Sequence, residues 1–224
     1  MYDCANENRP GVTQKVYTPD EAVAYLEKLF KDRQDISVIG IAGPGDPMCD
    51  ADKTLPTFEK CRARFPHLML CLSTNGLALP EHVDDIVRIG VSHVTVTVNA
   101  VTPSVGGKVY AWVRYNGKTY TGEEGAAILL ARQDEGIRKL KEAGMIVKIN
   151  TDHVPQIAAK AKEWKADIMN CMAMIPVHDT PFAGIETPSK EDIHRVRQFI
   201  SGSMKQMTHC SRCRADACGK LGCE

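Results

Sequence analysis

The residues best suited to chemistry stand near the C-terminal end of the sequence. Cys210-Ser211-Arg212-Cys213 is a C-x2-C pair. Two thiolates at this spacing can grip one metal ion or one cluster, because the turn between them points both sulfurs the same way. Arg212 and Arg214 flank the pair and favour the thiolate form. Cys218 and Cys223 follow, so four of the nine cysteines crowd into the last fifteen residues. On spacing, these four equally suit a structural Cys4 zinc site. The remaining cysteines stand at 4, 49, 61, 71 and 171. An odd total without a secretion signal argues against a disulfide framework and leaves thiols for metal.

Cys71 lies in Leu70-Cys71-Leu72-Ser73-Thr74-Asn75-Gly76, at the end of an expected strand. A parallel sheet presents its ligands there, while a buried core thiol is the competing reading. Cys49, Cys61 and Cys171 read as structural. Gly43-Pro44-Gly45-Asp46 follows another expected strand and lets backbone approach a ligand closely. It lacks the lysine and spacing of a P-loop and the full dinucleotide fingerprint. His153 and His178 fall in strand-end loops, where a ligand or acid–base role competes with a plain loop role.

These residues need elements to hold them, and the hydrophobic pattern supplies alternating ones. Thr18-Pro19-Asp20-Glu21 carries a capping box with proline at the first helical position, and Val23, Leu26, Leu29 and Phe30 give the helix one apolar face. Strands are expected at 36–42, 68–72, 91–98, 145–150 and 167–174. Helices are expected at about 55–64, after Pro80, at 123–142 ending at Gly144, at 156–164, and from Thr187-Pro188 through Phe199. The stretch 102–122 reads as an excursion with a turn at Asn116-Gly117 and a small hairpin. Strands alternating with helices predict a parallel α/β architecture with ligands at the C-terminal strand ends. Those ends carry Gly43 and Gly45, Ser73 and Asn75, Asn99, Asn150 and Asn170.

With 224 residues the chain suffices for one large domain, and 28 basic residues balance 28 acidic ones. Bulk charge therefore offers nothing to nucleic acid or to a membrane surface. No run of eighteen apolar residues exists and the N-terminus lacks a signal-peptide pattern. A cytoplasmic protein with no nucleic-acid or membrane partner is expected.

Several segments in order resemble one family. Tyr2-Asp-Cys-Ala-Asn-Glu-Asn-Arg-Pro-Gly-Val12 is similar to the stretch that follows the cluster-binding cysteines of NifB proteins, the radical SAM maturases of the nitrogenase cofactor. The strand ends Ile39 to Pro47, Leu72 to Gly76, Val94 to Ala100 and Val147 to Asn150 resemble that family in succession. So do Asn170 to Pro176, Thr180 to Phe182, and Cys210-Ser-Arg-Cys-Arg-Ala-Asp-Ala217. The resemblance implies a partial (βα)6 radical SAM barrel over 1–203 and a cluster-binding tail over 204–224. It implies a lyase-type enzyme that uses S-adenosylmethionine (SAM) and [4Fe-4S] clusters. The reaction would fuse two such clusters, with carbide insertion, into the eight-iron precursor of the cofactor. Its partners would be iron–sulfur cluster donors and the scaffold or acceptor proteins of nitrogenase assembly. On matching positions, Cys4 and Cys71 would hold one substrate cluster, and Cys210 and Cys213 the other. Gly43, Gly45, Asp46, Ser73, Asn75 and Asn99 would line the SAM pocket, and Glu7 would stand near the first cluster. The family's C-x3-C-x2-C loop, which precedes the Tyr-Asp-Cys element, does not occur among these residues. The first barrel strand is likewise expected to be missing, and this chain by itself is expected not to cleave SAM. A non-catalytic cluster carrier and a zinc-stabilised α/β protein are the rival readings.

Overall fold

The computed structural model describes residues 17–42, 45–151, 154–171 and 182–207. Helix α1 (Pro19–Asp32) begins at the expected capping box: the Thr18 hydroxyl accepts from the Glu21 amide, and the Glu21 carboxylate accepts from the Thr18 amide. Such a cap is worth about 1 kcal/mol. Strand β1 (Val38–Ile41) leads through a 3-10 turn (Pro47–Asp50) into α2 (Ala51–Arg64). Then come β2 (Met69–Thr74), α3 (Leu79–Ile89) and β3 (His93–Thr97). The excursion holds α4 (Pro103–Val109) and a hairpin, β4 (Val113–Tyr115) with β5 (Lys118–Tyr120), turning at Asn116-Gly117 as expected. The chain continues with α5 (Gly122–Glu142), β6 (Ile146–Thr151), α6 (Val154–Glu163), β7 (Ile168–Cys171) and α7 (Lys190–Ser201).

The five long-range strands form one all-parallel sheet in the order β1-β2-β3-β6-β7. Strand order thus follows chain order, with helical crossovers between neighbours, which is how a (βα) barrel wall is built. Alternation along each strand sorts the residues into two faces. Leu70, Leu72, Val94, Val96, Val147, Ile149 and Met169 are fully buried and form one core with Phe58, Leu79, Ile86, Ile137 and Leu140 of the covering helices. The opposite, interior face carries the residues between them. The fold class is therefore the expected one.

Some boundaries differ for local reasons. Helix α4 was not expected; its proline at the N-terminus and close seating on α5 hold a glycine-containing segment helical. The last helix begins at Lys190, because Ser189 caps it through the Asp192 amide in a second capping box, ahead of which Pro188 keeps the chain extended. After α7 the chain returns to the sheet: the Met169 amide donates to the Lys205 carbonyl at 2.9 Å, and the Met207 amide to the Met169 carbonyl at 2.9 Å. Residues up to 207 thus run parallel beside β7. Among the described residues no helix is long and apolar enough to cross a membrane.

Candidate functional site

The interior face is polar where the outer face is apolar. In-register pairing sets Gly40, Cys71 and His93 in one row and Ser73, Thr95 and Lys148 in the next toward the C-terminal ends. Thr97, Asn150 and Asn170 form a third row. Below them Val38 and Met69 pair and stay exposed, at 43% and 41%. Cys71 is half-buried. His93 is held below its ordinary basicity, first by burial and then by the positive charge of Lys148, against the opposing pull of Asp167.

The C-terminal ends of β1, β2 and β3 are tied together by two polar side chains, one half-buried and one fully buried. Asp46, just after β1, accepts from the Met48 amide at 2.9 Å, from the Thr74 hydroxyl at 2.9 Å and from the Asn75 amide. Burial nonetheless raises its carboxyl above the ordinary carboxylate range; the Asn75 and Met48 amides and the Thr74 hydroxyl oppose that rise. Gln133, fully buried on α5, donates from Nε2 to the Asn75 carbonyl at 2.7 Å and the Thr97 carbonyl at 3.0 Å. Gly76 makes that approach possible: its φ is +86°, and a Cβ there would meet Gln133 and Val96 side-chain carbons at 3.0 Å. The Asn99 amide donates to the Tyr110 hydroxyl at 3.1 Å, so α4 sets the loop after β3.

Gly45, Asp46, Ser73, Asn75 and Asn99 are therefore brought to one end of the sheet, with Cys71 two residues below Ser73 on the same face. Gly43, Cys4, Glu7, Cys210, Cys213, Cys218, Cys223, His153 and His178 lie outside the described residues. Cys61 and Cys171 are buried, as the structural reading requires, and burial pushes the Cys61 thiol up to about 11. Cys49 departs from that reading: it is exposed, because the 3-10 turn after β1 sets it on the surface. Asp46 and Asn75 spend their side chains on the fold itself; the Asn75 carboxamide oxygen accepts from the Leu77 amide at 2.8 Å.

Gln133 was not singled out from the sequence, although a signal existed. It falls on the apolar stripe of α5 between Leu129 and Ile137, where a polar side chain must find buried partners. Lys148 carries a similar signal, alternating with Val147 and Ile149. At the far side of the site, Asn170 is 2% exposed, and its Oδ1 accepts no hydrogen bond among the described residues. It is an acceptor waiting for a donor at a strand end.

A family model described as the radical SAM superfamily matches residues 4–160. Over 99% of its length the chain is 38% identical to the FeMo cofactor biosynthesis protein NifB of Chlorobaculum tepidum, of which it spans 54%. It is 42% identical, again over 99% of its length, to the protein of that name from Klebsiella pneumoniae, of which it spans 50%. The chain thus spans about half the length of the curated relatives it matches. Among solved structures, Streptococcus suis SuiB superposes with a TM-score of 0.58 at 14% identity, over 87% of this chain and 44% of that one. A 3-keto-L-gulonate-6-phosphate decarboxylase from Vibrio cholerae gives 0.51 at 12% identity, over 84% and 72%. At these identities the likeness is one of fold.

Proposed function

From the premise that this chain belongs to the radical SAM superfamily, we propose that it is the barrel body of a FeMo cofactor maturase of the NifB kind. The observation that carries this reading is the placing of Cys71 on the interior face directly beneath a polar arc of strand ends. Superfamily membership implies a [4Fe-4S] cluster and SAM as cofactors. The SAM part fits what is described: Ser73 and Asn99 stand half-buried at the strand ends, a Cβ on Gly45 would meet nothing within 4 Å, and the Asn170 Oδ1 accepts no hydrogen bond among the described residues, which an amine or hydroxyl could supply. The described part supplies no site for the resident cluster: among the described residues no three His, Cys, Asp or Glu side chains gather at metal-holding distance.

SAM held at these strand ends would supply the carbon for carbide insertion. The chain's own residues do the positioning. Asp46 and Gln133 lock the ends of β1, β2 and β3, so the loops facing the ligand keep one geometry. The sheet and its helices wall one side of the interior from water. Cys4 and Cys71 would hold one substrate [4Fe-4S] cluster and Cys210 and Cys213 the other, soft sulfur donors being suited to iron–sulfur cargo. Fusion of the two would give the eight-iron precursor, for delivery to scaffold or acceptor proteins of nitrogenase assembly, with cluster donors upstream. Because the chain holds no C-x3-C-x2-C sequence, it binds cluster substrates without cleaving SAM by itself.

The test is anaerobic reconstitution with iron and sulfide, followed by SAM and a strong reductant. Iron uptake without 5′-deoxyadenosine is the expected result. Formation of 5′-deoxyadenosine by this chain would overturn the predicted inactivity, and zinc bound in place of iron would overturn the assignment.

A further inference from the structure

The interior face holds a cation that the reading above does not use. Lys148 sits mid-strand in β6, its neighbours Val147 and Ile149 fully buried on the helix-covered face, so its side chain belongs to the interior side. Pairing places it beside Thr95, which pairs with Ser73, one row from Cys71 and His93. No carboxylate pairs with the half-buried Lys148 among the described residues. The nearby acid, Asp167, is engaged elsewhere: its Oδ2 accepts from Lys141 Nζ at 2.6 Å and from the Val147 amide at 2.8 Å. Shielding an ammonium from water without a counter-charge is costly, and an arriving anion removes that cost.

We propose that Lys148 is a positioning residue whose ammonium offsets the negative charge of the thiolate-bound iron–sulfur substrate at Cys71. This rests on the reading of Cys71 as a ligand of that substrate. The spans agree. Two strand spacings across and one two-residue step along the sheet separate the two Cα atoms by roughly 12 Å. A lysine stem of about 6 Å and a cysteine-bound cluster together cover that gap. A positive charge near a cluster raises its reduction potential by favouring the more negative, reduced form, so the lysine tunes the substrate as well as seating it.

The experiment compares the reconstituted chain with Lys148→Met, Lys148→Arg and Cys71→Ala, reading iron content and the midpoint of the reduced-cluster electron paramagnetic resonance signal. The signal lost in Cys71→Ala is the one of interest. Lys148→Met is expected to shift its midpoint downward and to lower iron retention, and Lys148→Arg to restore both. A midpoint and iron content unchanged in Lys148→Met, with the Cys71 dependence intact, would overturn the role of the lysine only. A spectrum and iron content unchanged in Cys71→Ala, with no component lost, would instead overturn the reading on which it rests. Circular dichroism of each variant keeps a folding defect separate, and the neutral, polar Lys148→Gln exchange, for which the same downward shift is expected, carries the test if the methionine variant does not fold.

Discussion

Asp46 collects two backbone amides and a hydroxyl on one half-buried carboxylate, and thereby joins β1 to the end of β2. Replacing it with alanine orphans those donors, so Asp46→Ala should cost about 1–3 kcal/mol in urea unfolding. Its pH signature has a definite sign. The folded-state pKa is raised from 3.8, so the folded protein takes up the proton before the unfolded chain does. Relative to Asp46→Asn, the chain should therefore gain stability as pH falls through the window between that raised value and 3.8. A parallel pH dependence for the two proteins would count against a buried, desolvated carboxylate. Gln133 gives a second residue-level expectation. Gln133→Leu leaves two strand-end carbonyls buried without donors, and a loss of about 2 kcal/mol is expected. An unchanged denaturation midpoint would mean that water replaces the amide. Asp46 was legible in the sequence as part of a glycine-rich strand end, but its partners were not: Thr74 and Asn75 lie 28 and 29 positions away. Gln133 reaches Asn75 across 58 positions, a separation no local pattern reports.

At the scale of elements, α5 organises the site, since it carries Gln133 inward and holds α4 and α6 at its two ends. Gly106 of α4 sits so close that a Cβ there would meet the Ala126 Cβ at 2.7 Å. Neither atom can swing away, so Gly106→Ala should lift α4 off α5 at a cost of about 1–3 kcal/mol. Because Tyr110 follows α4 and receives the Asn99 amide, the same variant should weaken SAM binding measured by calorimetry; undiminished affinity would contradict that linkage. At the other end Asp134 accepts from Arg138 at 2.8 Å and from the Trp164 indole at 2.8 Å, and pairs with Lys160. Led by Arg138, these donors bring its pKa down to about 2. A depressed acid stabilises the fold above the ordinary value of 3.8 and loses that contribution as pH falls toward about 2. The stability gap between the chain and Asp134→Asn should accordingly be widest near neutral pH and close in that acid window. A gap independent of pH would show that the pairing carries no net stabilisation. The strands and most helices could be read from periodicity, because each buries a whole face. Helix α4 could not, since its conformation follows from contact with α5, and the return of residues 205–207 to β7 has no periodic signature in three residues.

For the whole molecule, a parallel sheet with strand order following chain order brings residues from distant segments to one end. That is why polar strand ends, unremarkable singly, formed a usable pattern when read as a set. The sequence carried this architecture through periodicity, while the cluster ligands proposed for its cysteines rest on family resemblance, since spacing alone suits zinc as well. It did not carry the interior rows, which depend on register: Cys71 beside His93, and Lys148 beside Thr95, are set by strand pairing. The chain spans about half of its curated relatives, and its described part supplies a scaffold, a polar arc and one interior thiol at Cys71. The central claim is that this thiol, with Cys4, and the Cys210–Cys213 pair hold two iron–sulfur substrates. Iron counted per chain after anaerobic reconstitution tests it most directly. On the order of eight irons are expected, falling by about half in Cys71→Ala and by about half in Cys210→Ser/Cys213→Ser. Iron content unaffected by either change, or zinc held in its place, would contradict the account.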